Sequence, residues 1–309
     1  MRTGKIILLG LITSLCSTLA VANSALTLPR QDGSEIHYYL NKKQAVPSET
    51  LLVLIQGSDC NSVTQIKMIE EDLPAAAPTA DILTVEKYGI TNKLSYDEDP
   101  ERKDCPEAFI QNDALSQRVD DYLKILEKIK SQHKYQQVYL IGGSEGALVA
   151  NLLSAHPDHV SKIVAFNGGG ARFMDDLEHA VKLEIPEKKV YTEVMQEINE
   201  FTQFVLNSEP VEFNVSGHGF KWWREMLELN QTEVLRQSQV PVLLIQSEDD
   251  TNVSVELAEK QYKTLEKEGK SNIEYLSITG LDHSLGDSDG KSQANKVVEN
   301  IKEWLIENP

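Results

Sequence analysis

The sequence holds little of what would narrow its role at a glance. Three cysteines in 309 residues exclude a disulfide-dense scaffold, and aromatic residues make up only 6% of the chain. No apolar run reaches the roughly 20 residues that a membrane-spanning helix needs. Basic residues are scarce as well. Thirty stand against 48 acidic ones, for a formal net charge of −18, and no Lys/Arg cluster offsets that field. Such a surface repels phosphate backbones and anionic lipids, so neither nucleic acid nor stable membrane insertion is expected, and the acidity reads as a device for solubility. Internal repeats and low-complexity tracts are also missing, which excludes solenoids and arrays.

What is present begins with "MRTGKIILLGLITSLCSTLAVANSA". Arg2 and Lys5 precede an apolar run from Ile6 to about Leu15, and Ala20-Val21-Ala22 forms an A-x-A cleavage site. Ser14, Ser17 and Thr18 interrupt the run too early for an uncleaved anchor. Residues 1–22 therefore read as a secretory signal, and the expected location is periplasmic or secreted. Of the cysteines, Cys60 and Cys105 remain after cleavage. Export favours a disulfide between them, the alternative being two free thiols.

Elements then follow in a regular order. "ALTLPRQDGSEIHYYL" predicts a hairpin turning at Asp32-Gly33. Continuous apolar, β-branched runs at Leu51–Gln56, Asp81–Glu86, Gln137–Ile141, Lys162–Phe166, Val240–Gln246 and Ile273–Ile278 predict buried parallel strands. Segments with helical spacing lie between them, such as 113–133, where Leu115, Val119, Tyr122, Leu123, Leu126 and Ile129 share a face. This is the pattern of an α/β fold, a mostly parallel central sheet with helices on both faces. Residues 172–239 break the alternation, with helical stripes and no convincing strand. The expected division is a core in two parts, 23–171 and 240–309, with 172–239 inserted as a helical cap.

One stretch carries chemistry. Gly142-Gly143-Ser144-Glu145-Gly146 follows a predicted strand and opens a predicted helix, the context in which G-x-S-x-G forms a sharp nucleophile turn. Gly142 and Gly146 give that turn room to close, whereas Gly143 reads as a variable position. The turn lifts the Ser144 hydroxyl clear of the sheet and aims the Glu145 backbone N–H at the same space, building a nucleophile and half an oxyanion hole together. A nucleotide-binding turn would need G-x-G-x-x-G or a G-K-[ST] ending, and neither occurs here.

With this turn in place, the chain resembles the α/β-hydrolase superfamily from the first hairpin to the last helix. The resemblance implies a catalytic acid after a late strand and a histidine after the last one. "PVLLIQSEDDTNVS" offers Glu248, Asp249 and Asp250, of which Asp250 matches the family's acid position and Asp249 is the next choice. "LSITGLDHSLGD" offers His283 in a context similar to the family's G-x-D-H, and the chain's six other histidines follow no terminal strand. The resemblance thus implies Ser144 as nucleophile, His283 as general base and Asp250 as the group that orients it. It also implies a second oxyanion donor after the Leu51–Gln56 strand, the backbone N–H of Ser58, or of Asp59 in its place.

On these grounds the expected protein is an exported serine hydrolase acting on carboxylic esters or thioesters through an acyl-enzyme, without metal or organic cofactor. A serine peptidase of the same fold and a non-catalytic binding protein are the other readings. The cap stretch "GHGFKWWREML" could wall an acyl pocket with its tryptophans or pack the cap onto the core. "YDEDPERKD" lacks the spacing of a calcium loop and reads as a solvated acidic segment.

Overall fold

The computed structural model of the chain describes residues 25–42, 47–99 and 102–307. The segment read as a secretory signal, residues 1–22, lies outside the described residues. Eight strands form one sheet: β1 (Leu26–Pro29), β2 (Glu35–Asn41), β3 (Thr50–Ile55), β4 (Asp81–Val85), β5 (Gln137–Gly143), β6 (Lys162–Phe166), β7 (Val242–Ser247) and β8 (Ile273–Ile278). Their order is β1-β2-β4-β3-β5-β6-β7-β8. The first hairpin and the β2–β4 pair are antiparallel, and every other pair is parallel.

The continuous apolar runs have a direct cause. Inner strands are covered on both faces, so neither side-chain parity meets water. Leu51, Val53, Leu140, Ile163 and Val242 point into one core, with Tyr122 and Ile125 of α2 (Leu115–Gln132) and Ala147 and Ala150 of α3 (Glu145–Leu153). Leu52, Leu54, Ile141, Val164 and Leu243 point the other way, against the helical turns of residues 68–76 and α9 (Ala294–Glu307). Helix α2 buries more than its apolar stripe. Arg118 and Asp121 are also buried on it, and Asp121 is held by Arg30 at 2.6 Å.

From β3 the chain passes to β4 on one side, and β5 then returns on the other side of β3. Strand order therefore reverses at β3 and β5, and the carboxyl ends of these two strands flank the crevice where open α/β sheets bind ligands. Between β6 and β7 the chain runs through α4 (Phe173–Glu184), α5 (Lys188–Asn207), α6 (Phe220–Glu228) and α7 (Gln231–Gln237). Phe173, Phe201 and Phe213 cross the rings of Trp222 and Trp223 or one another edge-on, giving this segment an aromatic core. Helix α7 packs on α3 and on α8 (Val255–Lys267). There Gln231 accepts from Asn151 and donates to the carbonyls of Gly168 and Gly170. Among the described residues no helix is long and apolar enough to cross a membrane.

Cys60 and Cys105 are joined in a disulfide across a sequence separation of 45. The bridge packs with Ile90 and Phe109, and α1 (Glu107–Asn112) starts two residues beyond it. Closing a loop of this length removes enough unfolded-chain entropy to stabilise the fold by about 4 kcal/mol, less any strain. Reduction is accordingly expected to lower the unfolding free energy by up to this amount. Urea denaturation of the oxidised and reduced protein measures it, and coincident curves would refute it.

Candidate active site

At the carboxyl end of β5 the backbone turns sharply. Ser144 adopts φ 54°, ψ −126°, a strained conformation for a residue with a Cβ, and α3 starts at the next residue. The turn closes because two neighbours lack side chains. A Cβ on Gly142 would lie 2.1 Å from the Gly146 carbonyl oxygen, and one on Gly146 would lie 2.4 Å from the Ile55 carbonyl oxygen. Gly143 departs from the expectation of a variable position. A Cβ there would meet the Phe166 ring of the neighbouring strand β6 at 2.2 Å, so any side chain at this position would require that buried ring to shift. That contact lies far off in sequence, and local motif reasoning had no access to it.

Three side chains from separate loops meet at this turn. Ser144 Oγ lies 3.0 Å from His283 Nε2, and His283 Nδ1 lies 2.8 Å from Asp250 Oδ2. An ionised carboxylate only accepts, so Nδ1 carries the proton and Nε2 is left to accept from the serine hydroxyl. Of the three adjacent acids, only Asp250 points inward. It is buried and also accepts from Gln246 Nε2 and from the backbone N–H groups of Asn252 and Val253. Glu248 instead accepts from Ser277 Oγ, and Asp249 is exposed.

Asn167, at φ 50° just past β6, is a residue the sequence reading missed. Its side-chain amide donates to the His283 carbonyl and to Ser247 Oγ, while its oxygen accepts from the Ser247 N–H. It thereby ties the histidine loop to the strand end that precedes the acid. Only its place at a strand end before three glycines hinted at this role.

Ser58, Ser144 and Glu145 line one cavity of about 150 Å³. Leu148, Phe173, Leu177, Trp222, Met226 and Leu229 supply its apolar wall. Trp222 walls the cavity and donates to Glu145 of α3, while Trp223 packs inside the helical segment. The Asp59 side chain folds back on its own loop, its Oδ1 accepting from Asn61 N–H.

The Glu145 carboxylate does not face Ser144's oxygen. It is buried, with Oε1 against Arg118 and Oε2 accepting from Trp222 Nε1 at 2.5 Å. Burial alone would raise its pKa, but Lys87 and Arg118 outweigh burial and hold it below the usual range. Burial pushes Lys87 down, against the pull of Glu145 and Asp113. His218 lies stacked on Trp222 at 3.8 Å between ring centroids, and burial lowers its pKa to about 4, so it is neutral near pH 7. In the stretch read as a solvated acidic segment, Arg102 is buried and binds Asp104 and Asn61. No group of three or more His, Cys, Asp or Glu side chains comes together as a metal site among the described residues.

Asp113 borders this cluster. It is buried, neither carboxylate oxygen has a hydrogen-bond partner among the described residues, and burial raises its pKa to about 6 although Lys87 opposes the shift. A carboxyl raised in the folded state favours folding at low pH, and that contribution is lost as pH rises through about 6. Asp113→Asn should therefore have a higher Tm than the wild type at pH 8, and the gap should shrink to well under half by pH 4.5. Thermal melts across this range test it, and a gap that widened on acidification would reverse the sign.

The fold has many counterparts of known structure. Est1E from Butyrivibrio proteoclasticus with ferulic acid bound superposes with a TM-score of 0.60 at 16% identity, covering 92% of this chain and 98% of that one. The esterase Pf2001 from Pyrococcus furiosus does so with a TM-score of 0.57 at 15% identity, covering 92% and 90%. At such identities the likeness establishes the α/β-hydrolase fold. By sequence, no curated protein matches. The prolyl oligopeptidase family (Peptidase_S9) does match, over residues 107–308, a span that holds Ser144, Asp250 and His283. The chain therefore belongs to the prolyl oligopeptidase family, serine hydrolases of the α/β-hydrolase fold.

Proposed function

We propose that the protein is an exported serine esterase that cleaves carboxylic esters or thioesters of short or single-ring acyl groups through an acyl-enzyme on Ser144. The observation that carries the reading is the hydrogen-bonded chain from Asp250 through His283 to Ser144, opening on an apolar cavity. His283 Nε2 takes the Ser144 proton as Oγ attacks the acyl carbon, then gives it to the departing alcohol or thiol. Water reverses the sequence and releases the acid. Asp250 holds the ring's tautomer and balances its transient charge. The backbone N–H groups of Ser58 and Glu145 receive the developing oxyanion. Each step uses only these groups and calls on no metal or organic cofactor.

Residues 172–239 act in this reading as the cap, docked by α7, and 23–171 with 240–309 as the core. A cavity of about 150 Å³ is the size that holds a benzene ring in other apolar interiors. Ferulic acid in the structurally similar Est1E is in keeping with a ring-bearing acyl group. The disulfide supports export to a periplasm or beyond the cell. The family match favours one second reading, a serine peptidase acting on short peptides.

A fluorophosphonate probe is expected to label the wild type and not Ser144→Ala, with kcat on a nitrophenyl ester falling by ~10⁴-fold or more in the variant. Equal labelling of both, or of neither, would leave a non-catalytic binding protein as the better account. In a panel of nitrophenyl esters, kcat/KM should rise from acetyl to butyryl and benzoyl and gain nothing further at dodecanoyl, because methylenes beyond the cavity gain no burial. Aminoacyl nitroanilides turned over faster than any ester would instead select the peptidase.

A further inference from the structure

The two backbone segments proposed to donate to the oxyanion belong to different loops, and a buried set of side chains spans them. Arg118, on α2, donates from Nη1 to Glu145 Oε1 and from Nη2 to the Gln56 carbonyl at 2.7 Å. Lys87, just past β4, donates to the Asp59 carbonyl at 2.9 Å and lies 3.9 Å from Glu145 Oε1. Gln56 and Asp59 bracket Gly57 and Ser58, so both carbonyls that flank the Ser58 donor are held by cations. Gln56 Nε2 closes the same loop onto the Asp59 and Asn61 carbonyls. At the other end, Glu145 is the residue whose own backbone N–H is the second donor.

The remaining oxygen of Glu145 reaches the opposite way. Oε2 accepts from Trp222, the wall of the cavity. One buried carboxylate thus reaches the loop of the first donor through Arg118 and Lys87, belongs to the turn of the second, and touches the wall against which an acyl group would rest. Arg118, Glu145 and Lys87 are all nearly inaccessible, with side-chain exposures of 3%, 2% and 1%. Screening by water is therefore small, and their geometry is held by charge-assisted hydrogen bonds. The G-x-S-x-G turn leaves the position after the serine open, so such a burial of charge calls for a role.

We propose that Arg118 and Glu145, seconded by Lys87, are positioning residues that fix the two oxyanion donors at their working separation, with Trp222 registering the acyl wall to the same carboxylate. The inference rests on the Ser144 esterase reading. It assigns these side chains no contact with substrate: they act through the Gln56–Asp59 loop and the Glu145 backbone. Their effect should fall on the transition state, where the oxyanion exists, and much less on ground-state binding.

The test compares wild type, Glu145→Gln, Arg118→Met and Arg118→Lys on a butyryl nitrophenyl ester, with a butyl trifluoromethyl ketone as a tetrahedral-adduct probe. Expected are kcat losses of about tenfold for Glu145→Gln and about 100-fold for Arg118→Met, the scale of a misplaced catalytic group. KM should stay within about threefold, ketone affinity should fall in step with kcat, and Arg118→Lys should recover part of the loss. Circular dichroism and thermal melts select the variants that fold. Should Arg118→Met fail to fold, Glu145→Gln, which keeps size and hydrogen-bonding capacity, decides. Folded variants with wild-type kcat, or with kcat and ketone affinity uncoupled, would overturn the proposal. A wild type that neither turns over ester nor carries a Ser144-dependent label would overturn the esterase reading on which it rests.

Discussion

Much of the structure hangs on one close approach. The first turn of α3 lies so near the end of β3 that a methyl group on Gly146 would stand 2.4 Å from one carbonyl oxygen and 2.8 Å from the next. This contact joins the serine turn to the strand that leads into the Gln56–Asp59 loop, and it leaves no slack for either to move alone. The strained backbone at Ser144 persists because its surroundings over-determine it: Gly142 below, the Phe166 ring beside it and β3 beyond. Packing of this kind sets the strand end and the serine turn against each other, and the hydrogen bonds of Arg118 and Lys87 act on the loop beyond the strand.

Polar chemistry is layered on that packing. Asn167 binds the histidine loop to the Ser247 strand end, Asp176 accepts from the N–H groups of Gly170 and Ser254, and Gln231 latches α7 to the glycine stretch after β6. Each of these side chains is buried, and each joins segments at least six residues apart in sequence. Asp176 shows the cost of such a bracket. Burial raises its pKa to about 6 despite the two backbone donors. A surface that is strongly acidic overall therefore encloses an interior where a few charges are placed against particular partners.

The degree to which this was legible in the sequence follows from how local each signal is. The α/β fold shows in the alternation of apolar runs with helical stripes, because inner parallel strands have no polar face to display. Ser144 shows because its turn needs glycines within two residues, and His283 because it follows the last strand. Arg118 and Asn167 did not show. Arg118 falls three residues after Leu115 and four before Tyr122, inside the buried stripe of α2. A charge in such a place was the available sign of a buried partner, but the sequence does not name Glu145 as that partner. Gly143 failed for the same reason in reverse, its constraint being a ring on another strand.

The bridge between Cys60 and Cys105 has a bearing on the outcome of proteolysis. The span it encloses contains β4 and, after it, residues 95–99, all of them exposed. A protease attacking that stretch would cut within the closed loop, so the pieces on either side stay covalently linked. Arg102 would still hold Asn61, and Lys87 would still hold the Asp59 carbonyl. The chain can thus be nicked at one of its most accessible points and remain, for its other elements, a single molecule.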